Sequence, residues 1–133
     1  DTSSVPSLIQ RLDDHSMTVR WAALDALAKL PDARAARPIA KHMARGLETT
    51  PATIALARIG PPAEVAMVSL LNDKSALNRQ TALQLLAHYG THRSALPLMA
   101  RLNSKDTVTA NLARQALESI LKRQGQQPLR GQK

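Results

Sequence analysis

The chain has 133 residues, a formal net charge of +8, 44% hydrophobic residues, one Trp, one Tyr, no Phe and no Cys. That length suits one domain able to bury a core without metals or cross-links, and the lack of Cys excludes disulfides, a thiol nucleophile and a Cys-based zinc site. No apolar run nears the roughly 20 residues that a membrane span needs, and no signal sequence is visible.

The elements are predicted in order along the chain. VPSLIQRL (5–12) is a short amphipathic segment, DDHSMT a polar turn, and VRWAALDALAKL (19–30) a helix with its core at Val19, Ala23, Ala26, Leu27 and Leu30. ARPIAKHMARG (36–46), the turn LETTP and a second helix ending at Gly60 repeat that order. PAEVAMVSLL (62–71), NDKSAL and a helix to Gly90 do so again, followed by SALPLMARL (94–102), NSKDTV and a last helix to 123. Pro6, Pro38, Pro62 and Pro97 fall near the starts of the first helices, where a missing N–H costs nothing. Pro31, Gly60 and Gly90 mark the ends of the second helices.

These segments are copies of one unit. Leu27, Leu56, Leu86 and Leu117 are spaced by 29, 30 and 31 residues, and Ala23, Ala52, Ala82 and Ala113 keep the same register four positions earlier. A single two-helix unit cannot bury its apolar stripe, so each copy must stack on its neighbour. The fold expected is all-α: a right-handed α-α superhelix of four helical pairs, with repeats at about 5–30, 36–60, 62–90 and 94–123 in a domain of residues 1–123. Residues 124–133 are expected to form a basic, disordered tail, since 122–133 hold four Lys/Arg, no acid and two Gly.

The first copy carries Pro6, Leu8, Ile9, Leu12, Asp13 or Asp14, Val19, Arg20, Ala22, Ala23, Ala26 and Leu27, a pattern that resembles the HEAT repeat of the short bacterial, bilin-lyase-like kind. The third copy keeps Leu71, Asp73, Arg79, Ala82 and Leu86, and the fourth keeps Pro97, Leu98, Leu102, Ala113 and Leu117 with Ala110 in place of the Arg. The second copy departs most: its turn is short, Thr49 stands at the Arg position and no Asp precedes it. The resemblance implies a structural ladder between repeats, here Arg20 with Asp13 or Asp14 and Arg79 with Asp73. It also implies that the second helices line a concave face.

On that face the outward positions are Trp21, Asp25 and Ala28 or Lys29 in copy one, then Thr50, Ile54 and Arg58, Gln80, Gln84 and His88, and Asn111, Gln115 and Glu118. The surface is amide-rich with scattered charge, which suits a protein partner better than a polyphosphate. Trp21 has two readings: packing against a flanking or preceding element, or anchoring an interface, where Trp is enriched. The function expected is a non-catalytic protein-interaction scaffold. The start at Asp1-Thr2-Ser3-Ser4, without Met, suggests the C-terminal module of a longer bacterial protein, with the cytoplasm slightly favoured.

Other chemistries find less support. His88 and His92 are four apart, but Gly90 lies between them, and His15 and His42 are expected in a turn and on an outer face. No metal, cofactor or small-molecule substrate is therefore expected, and no nucleophile elbow or phosphate loop is present. Nucleic-acid binding is the alternative: residues 67–133 hold ten Lys/Arg against three Asp/Glu, and Arg101, Lys105, Arg114, Lys122 and Arg123 are the candidate phosphate contacts. A remote enzymatic reading rests on a loose resemblance of Trp21, Asp25 and Arg58 to the site of HEAT-like alkylpurine DNA glycosylases.

Overall fold

The computed structural model describes residues 2–126. It is all-helical, with eight α-helices in four neighbouring pairs: α1 (Val5–Arg11) with α2 (Met17–Lys29), α3 (Ala36–Ala44) with α4 (Thr49–Ile59), α5 (Glu64–Ser69) with α6 (Ala76–Tyr89), and α7 (Ala95–Met99) with α8 (Thr107–Gln126). The second helices pack on one another in sequence, α2 on α4, α4 on α6 and α6 on α8, and so form one layer of a HEAT-like solenoid. No single helix among the described residues is long and apolar enough to cross a membrane. Helix α8 runs through Gln126, three residues into the segment expected as tail; residues 127–133 lie outside the described residues.

Local chemistry explains why the pairs begin and end where they do. Ser16 caps α2 by accepting a hydrogen bond from the Val19 N–H, and Ser75 caps α6 in the same way from Asn78. The corresponding residue of the fourth pair, Asp106, accepts from the Val108 N–H and the Thr109 hydroxyl. Two residues before each cap, a side-chain oxygen of Asp14, Asp73 or Ser104 accepts the cap's own N–H and closes the turn. The second pair has none of this. Its turn runs through Gly46 at φ 79° and Glu48 at φ 34°, a left-handed conformation that costs a non-glycine residue about 1–2 kcal/mol.

The core lies between the layers and between successive pairs. Ala23, Ala52, Ala82 and Ala113 are buried, as are Leu27, Leu56 and Leu86, while Leu117 is half-buried at the end of the array. The small Ala register allows close approach of neighbouring helices, and each buried Leu contributes about 2 kcal/mol. The core of α2 is rotated from the expected set: Leu24 and Ala28 are buried, whereas Val19, Ala26 and Leu30 are only half-buried. Leu24 and Ala28 face the following pair, whereas Val19 and Ala26 lie in the registers of the opposite side.

Candidate partner-binding surface

The outward positions of the second helices, a row by register, are mostly exposed. Trp21, Asp25, Thr50, Arg58, Gln84, His88, Asn111 and Gln115 are exposed and Gln80 is half-buried. Glu118 is also exposed, but it shares its register with Ala28, Ala57 and Ala87 and so lies at the end of the array rather than in the row. Trp21 is 49% exposed and Ile54 47% exposed, and with Asp25 and Thr50 they border a shallow depression of about 110 Å³ between α2 and α4. Asp25 is held by Lys29 at 3.3 Å, one turn on, at a solvated site. Of the loose glycosylase-like trio, Trp21 and Asp25 line this depression and Arg58 does not.

The ladder residues act differently from expectation. Arg20 reaches Asp14, but at the backbone: its Nη1 donates to the carbonyls of Asp14 and His15, both at 3.0 Å. Arg79 binds the carbonyls of Asp73 and Lys74 in the same way, at 2.8 and 2.9 Å. The carboxylate of Asp73 instead accepts from Ser75 and Asn78. The reason is geometric: each turn folds its carbonyls toward the helix that follows, within reach of an Arg on its first turn, while the acid is engaged in closing the turn.

The rung between the first and second pairs is supplied by Glu48, which sequence reasoning missed. Arg20 donates to both of its oxygens, from Nε at 2.9 Å and Nη2 at 3.0 Å, and His42 Nε2 donates to Oε1 at 2.7 Å. The Arg20 bonds hold the Glu48 carboxyl below the usual carboxylate range; burial works against them and His42 works with them. His42, expected on an outer face, is fully buried, with Arg45 donating to Nδ1 at 3.5 Å and to Asp13 at 2.9 Å. The signal available was an acid just ahead of the second helix in the one copy that lacks the turn Asp.

A second missed residue, Glu64, is buried at the start of α5. Its carboxylate accepts the Thr91 N–H at 2.7 Å, the Thr91 hydroxyl at 2.9 Å and the Ser94 hydroxyl at 2.5 Å, tying the third pair to the fourth. Burial pushes this carboxyl up, but the bonds from Ser94 and Thr91 and the charge of Arg93 bring it below the usual range. Its register, shared with Val5 and Ala95, is otherwise small and apolar, and that anomaly was readable.

Three of the five candidate phosphate contacts are engaged within the chain. Arg101 donates to the Pro97 carbonyl at 2.7 Å and to Asn72 Oδ1, and Arg123 donates to the carbonyls of Ala87 at 2.5 Å and Gly90 at 2.7 Å. Arg114 donates to Asn111 at 3.1 Å on its own helix. Lys105 is exposed in the turn ahead of α8, and Lys122 is exposed on the helix itself, roughly 22 Å along the axis from its first residue. No group of three metal-ligating side chains converges among the described residues.

Residues 5–30 match the family model for the HEAT repeat. No curated protein matches the chain. HEAT repeats generally mediate protein interactions and are typically non-catalytic.

Proposed function

We propose that this HEAT-repeat chain is a non-catalytic scaffold that binds a protein partner along the outward row of its second helices, the concave face of the resemblance, with Trp21 as the anchor. The observation that carries the reading is the half-exposed Trp21 beside Ile54, Asp25 and Thr50, in a row whose other members are amides and scattered charges. A Trp covered on binding supplies apolar contact at small rotamer cost, and its neighbours can donate and accept hydrogen bonds around it. The residue classes of the row fit an interface of apolar centre and polar rim.

Affinity capture from the native lysate, repeated with Trp21→Ala and Gln84→Ala, tests the reading. Loss of Trp21 is expected to weaken capture on the order of 30-fold, the scale of a hot spot, and loss of Gln84 by less. Partners retained unchanged by both variants would overturn it.

A further inference from the structure

We infer that the N-terminal end of the array is a docking face for one more helical pair of the same repeat type, seated on α1 and α2. Three registers of each later second helix meet the pair before it. On α4 and its N-cap these are Glu48, Pro51 and Ala55; on α6 Asn78, Thr81 and Leu85; on α8 Thr109, Leu112 and Ala116. All are buried or half-buried: Pro51 shares a depression with Leu24 and Ala28, Glu48 binds Arg20, and Asn78 donates to the Met43 carbonyl at 2.8 Å. The same registers in the first pair are Val19, Ala22 and Ala26, of which Ala22 is exposed and the others half-buried. With Leu8 and Arg11 of α1, Val19 and Ala22 line an open depression of about 230 Å³. The interface that the chain builds between its own pairs thus continues, uncovered, onto this end.

The opposite end is finished differently, and the difference identifies the occupant. The registers that face the following pair hold Leu24 and Ala28 on α2 and Leu83 and Ala87 on α6, but Arg114 and Glu118 on α8, both exposed. A charged outer face is how a terminal repeat is capped. A second copy of this chain stacked head to tail would drive Arg114 and Glu118 against Val19 and Ala22, stripping water from two charges at a depression whose one charged side chain, Arg11, cannot match both. The occupant is therefore a helical pair with small or apolar residues at those two registers, like Leu24 and Ala28. It also has no need of an arginine clamp, because Val19 stands where the later pairs carry polar Glu48, Asn78 and Thr109.

The test appends a copy of residues 62–90 ahead of Asp1. Four residues then separate the copy from Val5, the same number that separates Gly90 from Ala95 in the native chain, and the copy offers its Leu83 and Ala87 to the exposed face. One cooperative thermal transition is expected, with Tm raised by about 4 °C or more over the unfused chain. The rise should vanish with Ala22→Arg and persist with Trp21→Ala, which separates this face from the outward row. In the unfused chain Ala22→Arg should leave Tm nearly unchanged, since the site is exposed, and sedimentation should show a monomer. A copy that melts on its own, a rise that survives Ala22→Arg, or a dimer of the unfused chain that Ala22→Arg dissolves would each overturn the inference.

Discussion

The first and last joints of the array bury a carboxylate each and hold it by opposite means. Between the first and second pairs, Glu48 sits against two basic groups, Arg20 and His42, so the joint is an ionic clasp. Between the third and fourth, Glu64 is held by a backbone N–H and two hydroxyls, with Arg93 contributing only its charge. The stacking geometry is common to both joints, and the chemistry at each is local. Where the second turn lost its Asp and its cap, an acid from a different register, in a strained backbone conformation, took over the connection.

The comparison predicts a ranking. Glu48→Ala should have the largest effect, about 3 kcal/mol of lost stability in urea unfolding, because it leaves the half-buried guanidinium of Arg20 without its counter-charge and the N–H of the buried His42 without an acceptor. Glu64→Ala should cost less, about 2 kcal/mol, because the groups left behind are neutral hydroxyls and one N–H. A reversed order would mean that the first joint is not an ionic clasp. Next comes acidity. Both carboxyls have folded values below the ordinary 4.5, so their contribution is present above that value and is lost as pH falls through the depressed ones. Wild-type stability should therefore fall below about pH 4, and Glu48→Ala should flatten that fall when unfolding is followed against pH. The smallest effect is expected of Trp21→Ala, within about 0.5 kcal/mol in the same urea assay, because the ring is half in solvent and closes no joint.

Much of the fold was legible because it rests on periodicity. The Leu27 and Ala23 registers repeat four times, and the structure buries every member but the half-buried Leu117. The helix caps were equally readable, as Ser16, Ser75 and Asp106 share one register. What periodicity could not give was pairing between registers. The turn Asp and the helix Arg suggest an ion pair as a sequence, yet the Arg reaches the carbonyls of the turn and, from the first pair, the acid of the next one. His42 and Glu48 became one cluster through a shortened turn whose path depends on two left-handed residues. The outward row itself was placed by register alone, with Glu118 shifted to the end of the array.

Trp21 is the sole tryptophan, so its emission reports on its own surroundings without labelling. The most direct test is to titrate a captured partner that lacks tryptophan, or has it replaced, into the chain and follow that emission. The account predicts a solvent-exposed spectrum in the free chain that shifts to the blue in saturable fashion as the partner covers the ring. A partner that binds tightly while the spectrum stays unshifted would contradict the placement of the interface on the outward row around Trp21.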